Sequence, residues 1–217
     1  IAGGAESAIC ESGIGGFSAL RALSTNFNED PTRGSRPWDK SRDGFVMGEG
    51  AGVVVLEELE HAKKRDAKIY AELVGYGLSG DAYHMTAPES SGRGSTYAMK
   101  LALHHAKLNP DQIDYINAHG TSTQNNDSAE GLAIQHVFGT KPPPFSSTKP
   151  FTGHTLAAAG VIEAIFSLLA INEQILIPNL NFETKMEELE IAPLREYAEN
   201  ANLQHVLSNS FGFGGSN

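Results

Sequence analysis

Ile113-Asp114-Tyr115-Ile116-Asn117-Ala118-His119-Gly120-Thr121-Ser122-Thr123 is the stretch that decides the fold class. Ile113 to Ala118 reads as a buried strand, the residues after it as a loop of small and hydroxylated side chains, and Ser128 to Phe138 as a helix. A strand leading through a short loop into a helix is the unit of α/β architecture. The same alternation continues outward. Before it, Tyr97 to Lys107 has the spacing of an amphipathic helix, stopped by Asn109-Pro110. After it, Phe145 to Thr148 reads as a strand, and His154 to Ile171 as a helix apolar almost all round, which predicts burial. His205 to Ser208 is a last strand before a glycine-rich turn. Towards the N-terminus, Ile1 to Gly4, Phe45 to Met47, Val53 to Leu56 and Ile69 to Gly75 read as strands, and Gly15 to Leu23 and Leu59 to Arg65 as helices. A polar loop spans Ser24 to Arg42. The expected arrangement is sheets covered by helices on both faces.

Composition narrows the function classes. With 217 residues, 40% of them hydrophobic, the chain can bury a sizeable core. A net charge of −10 argues against broad nucleic-acid or membrane-surface binding, so an acidic protein partner needs a local basic patch. One cysteine, Cys10, excludes an internal disulfide framework and fits a reducing compartment. The longest apolar stretch, Leu156 to Ile171, is broken by Glu163 and reads as too short for a membrane span; no secretory signal is legible. An apolar strand opens the chain without a start methionine and a glycine turn closes it, so further polypeptide is expected on both sides.

Three segments can carry chemistry. His119 stands where a buried strand gives way to a loop, the place where open α/β sheets bind ligands, and Gly120 permits close backbone approach. A core histidine satisfied by a neighbour is an equally good reading. In Ser146-Ser147-Thr148-Lys149-Pro150-Phe151-Thr152-Gly153-His154, a lysine and a histidine flank a glycine at the head of the apolar helix. There the helix dipole would keep His154 neutral and able to donate a hydrogen bond to a carbonyl; the plainer reading is a helix cap beside a solvated lysine. Glu163, the lone charge on that helix, needs a partner, and Lys149 is the candidate. Asp127 and Glu130 suit a helix start through the dipole alone. In Asn209-Ser210-Phe211-Gly212-Phe213-Gly214-Gly215, phenylalanines among glycines suggest backbone donors and a movable aromatic wall, or else a tight turn with core aromatics. The remaining histidines, 61, 84, 104, 105, 136 and 205, lack metal-site spacing, so no catalytic metal is expected. Lys63-Lys64-Arg65 with Lys68 reads as a solvated face.

These segments resemble the C-terminal signatures of elongating β-ketoacyl-acyl-carrier-protein synthases, condensing enzymes of the thiolase superfamily. Arg36-Pro37-Trp38-Asp39, Arg42-Asp43-Gly44-Phe45-Val46, Gly48-Glu49-Gly50-Ala51-Gly52 and Asp81-Ala82-Tyr83-His84 match as well, in order, over nearly the whole chain. The resemblance implies a thiolase-like layered α/β/α/β/α fold, incomplete at both ends. Residues 1–75 would close the N-terminal half, and 76–217 form the C-terminal half without its last strand. It further implies catalytic roles for His119, His154 and Lys149, with Glu163, Asp127 and Glu130 as structural support. Thr121 and Thr123 would contact the pantetheine arm, and Phe211 and Phe213 would form the acyl gate. Arg21 matches a position implicated in carrier docking. The implied partners are acyl- and malonyl-loaded acyl carrier protein and a second copy in a homodimer, with no cofactor, no nucleic acid and no membrane. The implied location is the cytoplasm or an organellar matrix. The family's nucleophilic cysteine lies upstream of the opening strand, so Cys10 is expected to be an ordinary small residue. Gln124-Asn125-Asn126 departs from the family's usual Pro-x-Gly. Two other readings stand beside this one: a non-catalytic partner resembling a chain-length factor, and the ketosynthase domain of a polyketide synthase.

Overall fold

The computed structural model describes residues 1–217 and contains two sheets. In the first, β1 (Ala2–Glu6) pairs antiparallel with β2 (Gly50–Val54), Gly4 opposite Gly52. The second has the order β4-β3-β5, all parallel: β3 is Tyr115–Asn117, β4 is Phe145–Ser146 and β5 is Val206–Ser208. The helices are α1 (Glu11–Ala19), α2 (Leu59–Lys64), α3 (Arg93–Ala106), α4 (Gln124–Phe138), the short α5 (Lys149–Thr152) and α6 (Ala159–Glu173). Helix α6 touches β1 and β2 on one side and β5 on the other, so it is the layer between the sheets. Glycines permit this approach. A Cβ on Gly4 would stand 2.4 Å from the Ala157 carbonyl oxygen, and one on Gly52 3.0 Å from the Val161 side chain.

The main core lies between the parallel sheet and α3/α4. Ile116 and Phe145 on the strands meet Met99 on α3 and Ile134 on α4, with Trp38 and Leu189 closing the sides. Trp38 packs edge-on against Phe145 at 5.2 Å between ring centroids. Burying each such side chain contributes about 2–3 kcal/mol, and aromatic contacts add to that.

Several expectations are corrected. The helix predicted at Gly15–Leu23 starts earlier, at Glu11, and ends at Ala19. Phe45 to Met47 form only isolated bridges, to Leu23 and His154, and the strand expected at Val53–Leu56 is shifted to Gly50–Val54. Ile69 to Gly75 pairs with no strand. It runs against α3 instead, where a Cβ on Gly75 would fall 2.4 Å from the Ala102 oxygen, and leaves Leu73 exposed. The apolar helix buries only one stripe, Ala159, Glu163, Ser167 and Ala170, while Leu169 is exposed. Leu156 to Glu173 is in fact long and apolar enough to cross a membrane. What holds it between two sheets is packing and the charged pair at Glu163, not a shortfall in length.

Candidate active site

The loop after β3 is fixed by two carboxylates of α4. The N–H groups of His119 and Gly120 donate to Glu130 Oε1 and Oε2, each at 2.8 Å. Those of Thr121 and Ser122 donate to Asp127 Oδ1 at 3.0 and 3.2 Å. Four consecutive N–H groups thus end on two side chains that are themselves fully buried. Asp127 Oδ2 accepts from the Trp38 N–H at 2.9 Å and faces Arg42 Nε at 3.7 Å. Glu130 Oε1 also accepts from Asn209 Nδ2 at 3.1 Å. Burial pushes both carboxyls up, Glu130 to about 7. Helix α4 starts four residues earlier than expected because the Thr123 hydroxyl caps it, accepting from the Asn126 N–H at 3.4 Å. Asp127 and Glu130 therefore do more than suit a helix dipole. Gly120 has φ +36°, and a Cβ there would lie 2.6 Å from the Trp38 ring and from Ser147.

The second part of the site hangs from β4. Lys149, 2% exposed, opens α5, and its ammonium meets Glu163 Oε1 on α6 and the His119 carbonyl. It also lies 3.3 Å from His119 Nδ1. Lys149 is a buried hub, not a solvated cap. Ser147 Oγ donates to the Gly120 oxygen at 2.8 Å and accepts from the Lys149 N–H at 3.2 Å. His154 is clamped by backbone: its N–H donates to the Val46 oxygen at 2.7 Å, and its carbonyl accepts from the Gly48 N–H at 3.0 Å.

The two imidazoles converge, with ring centroids 5.2 Å apart and planes at 85°. Burial, then Lys149 and then His154, holds His119 well below the usual histidine range; burial and Lys149 push His154 down to about 3. Both rings are neutral at pH 7. A 3-10 turn, Leu156–Ala158, leads directly into α6 two residues after His154, and its first N–H points at the ring. In His154, Nδ1 accepts from the Leu156 N–H at 3.2 Å, so the proton resides on Nε2. In His119, Nδ1 faces an ammonium, which only donates, so Nε2 again carries the proton. Each ring keeps one N–H donor for a ligand.

Aromatic rings line the site. Phe211 packs on His119 at 5.6 Å, Phe45 on His154 at 5.3 Å, Phe17 on Phe45 at 5.3 Å, and Phe213 lies 6.5 Å from Phe17. The Thr121 and Thr123 hydroxyls are 2.9 Å apart beside His119. Cys10 is exposed at the start of α1, and Arg21 is exposed just beyond its end with φ 57°. Phe17 supports the site without having been singled out in the sequence, and Trp38, Phe45, Ser147 and Asn209 stood in the quoted motifs without a role of their own. A tryptophan and two arginines inside a polar loop were the available signal that residues 36–42 turn inward.

Comparison with known proteins gives the family. Two family models match: Beta-ketoacyl synthase, N-terminal domain, over residues 1–62, and Beta-ketoacyl synthase, C-terminal domain, over residues 70–183. The 3-oxoacyl-[acyl-carrier-protein] synthase 2 of Coxiella burnetii is 52% identical over 219 residues, covering all of this chain and 53% of its own. The mitochondrial 3-oxoacyl-[acyl-carrier-protein] synthase of Arabidopsis thaliana is 52% identical over 225 residues, 48% of its own length. A solved β-ketoacyl synthase from Burkholderia phymatum superposes with a TM-score of 0.90 at 43% identity, over 99% of this chain and 52% of that one. A type II polyketide ketosynthase, solved in complex with its acyl-carrier protein, superposes with a TM-score of 0.92 at 38% identity, over 98% of this chain and 52% of that one. The chain spans about half the length of the curated relatives it matches. Its fold is that of the thiolase-like ketosynthases, an α/β fold, and it belongs to the β-ketoacyl synthase family.

Proposed function

We propose that the protein carrying these residues is a β-ketoacyl-acyl-carrier-protein synthase of fatty-acid elongation. The carrying observation is the pair of neutral imidazoles, 5.2 Å apart, each with Nδ1 engaged and Nε2–H free. Two such donors fit one carbonyl oxygen on which negative charge develops. In a malonyl thioester, the bond to the terminal carboxylate breaks, carbon dioxide leaves, and the electron pair flows into the thioester carbonyl. The resulting enolate oxygen is held by the N–H groups of His119 and His154. The α-carbon then attacks an acyl thioester, and the thiolate that carried the acyl group departs. On this reading the thiolate is a cysteine outside residues 1–217, and Cys10 takes no part. Lys149 orients His119 through Nδ1 and is itself anchored by Glu163.

The other assignments follow the same reading. Thr121 and Thr123 face the pantetheine arm of a carrier protein, Phe211 and Phe213 gate the acyl chain, and exposed Arg21 offers a cation to an acidic carrier. Residues 1–75 and 76–217 belong to two thiolase-like halves, which the two separate sheets and the two matched models support. The working form is a homodimer in the cytoplasm or an organellar matrix. Retention of both histidines and Lys149 disfavours a non-catalytic partner subunit.

The test is malonyl-carrier decarboxylation by the full-length protein. His119→Ala and His154→Ala are each expected to lower kcat by about 10²–10³, the worth of one oxyanion donor. Unchanged decarboxylation in both variants would falsify the assignment.

A further inference from the structure

We propose that Asn126 is a positioning residue of this site: its side-chain amide bridges the carboxylates of Asp127 and Glu130 and so holds the His119 loop in its working arrangement. The inference rests on the condensing role proposed above. Asn126 is half-buried in the first turn of α4. Its Nδ2 donates to Asp127 Oδ1 at 3.1 Å and to Glu130 Oε2 at 3.5 Å. Those two oxygens are the ones that already hold the loop: Asp127 Oδ1 accepts the N–H groups of Thr121 and Ser122, and Glu130 Oε2 that of Gly120. One neutral amide therefore joins both anchors of the loop that carries His119.

The electrostatic need for such a bridge is plain. Asp127 and Glu130 are one helical turn apart on one buried face, where like charges repel and each ionisation opposes the other. The charged groups around them are few. Arg42 stands at the opposite oxygen of Asp127, 3.7 Å away, and Lys149 lies behind His119. Towards α3 the neighbours are neutral: Asn209 Nδ2 spans Glu130 and the Met99 sulfur. The Asn126 Nδ2 stands within reach of both carboxylates and adds no charge. Protonating Glu130 would remove a charged acceptor from the His119 and Gly120 N–H groups, and the ring of His119 would lose its fixed height relative to His154. Asn126 is the last residue of Gln124-Asn125-Asn126, the segment that departs from the family's usual Pro-x-Gly.

The experiment follows the Glu130 side-chain carboxyl by ¹³C NMR titration in the full-length protein, with Glu130→Gln to assign the resonance. In Asn126→Ala the midpoint is expected to rise by about half a pH unit, the worth of one neutral donor. In the isosteric Asn126→Asp, a third carboxylate raises it by about one unit or more. The acid limb of the decarboxylation rate should move up in pH by the same amounts in each variant, which a merely structural role would not produce. If Asn126→Ala does not fold, Asn126→Asp carries the test alone. A Glu130 midpoint that is the same with Asn, Ala and Asp at position 126 overturns the proposal. Loss of decarboxylation in the unsubstituted protein would strike the condensing reading instead, with the titration still deciding on Asn126.

Discussion

The floor of the site and the turn that faces it are built on opposite plans. On the floor, His119, Lys149, Asp127 and Glu130 are all buried, and each is held by several hydrogen bonds from different elements. In the turn from Asn209 to Gly215, the restraints are mostly backbone: Gly212 N–H to the Ser216 oxygen at 2.8 Å, and Gly214 N–H to the Met85 oxygen at 2.7 Å. Gly214 and Gly215 sit at φ 87° and 76°, and Phe213 is 54% exposed. Asn209 hydrogen-bonds the start of the turn to the floor through Glu130, and Phe211 packs on His119. The contrast teaches a division of labour. Donors that stabilise a developing charge must not move during reaction, whereas a wall that admits a chain must.

Lys149→Met should break the floor most severely. The substitution keeps volume but leaves the Glu163 carboxylate buried without its cation, a loss of about 3–5 kcal/mol of stability. Urea unfolding measures it. A loss under about 1 kcal/mol would mean that the floor is not over-determined as described. Replacing both partners, Lys149→Met with Glu163→Leu, should recover much of the stability and none of the activity.

A middle-sized effect is expected in the pH dependence of stability. His154 has its folded value near 3 against 6.5 unfolded, so between these the unfolded chain binds a proton that the native site refuses. Stability therefore falls as pH drops from about 6.5 towards 3, and His119 acts in the same direction. Glu130 acts in the opposite sense: its folded value near 7 against 4.5 means that native protein keeps a proton which the unfolded chain has released. Its contribution falls as pH rises from 4.5 to 7. His154→Gln removes the first dependence. Relative to the parent, the variant should gain about 1 kcal/mol for each pH unit lowered between 6 and 4. Denaturation curves at three pH values suffice, and parallel behaviour of the two proteins would contradict the buried, neutral state of His154.

Much of this floor was legible from residue order. A strand ending in His-Gly, a lysine and a histidine around a glycine, and a lone glutamate on an apolar helix pointed to the elements now found together, including the Lys149–Glu163 contact. What was not legible depends on distance in three dimensions. The stretch 24–42 reads as a polar loop, yet Arg36, Trp38, Asp39 and Arg42 are buried, because their polar atoms find partners at α4 and the loop before it, near residue 183 and within the stretch itself. The segment 69–75 has strand composition, but strand formation needs a neighbouring strand, and this segment meets α3 and the end of α6 instead. His154 was placed at a helix start by the apolar run behind it. A 3-10 turn from Leu156 comes first and α6 begins five residues after His154, while burial and Lys149 push the pKa of its ring down.

The smallest stability effect is expected where the second plan rules. Phe213→Ala removes a ring that is half exposed and 6.5 Å from its nearest aromatic neighbour, Phe17. No hydrogen bond of the turn involves that side chain, and the glycines that shape the backbone remain. The unfolding free energy should change by less than about 0.5–1 kcal/mol, as for other loosely packed surface positions. Its pH dependence should run parallel to the parent, since no buried titratable group loses a partner. If the turn is a gate, the effect appears in acyl transfer: malonyl decarboxylation should persist in the full-length variant while discrimination among acyl chains relaxes. A loss of 2 kcal/mol or more would show instead that Phe213 is part of the packed floor, and the division between fixed donors and movable wall would have to be redrawn one residue earlier, at Phe211, which rests directly on His119.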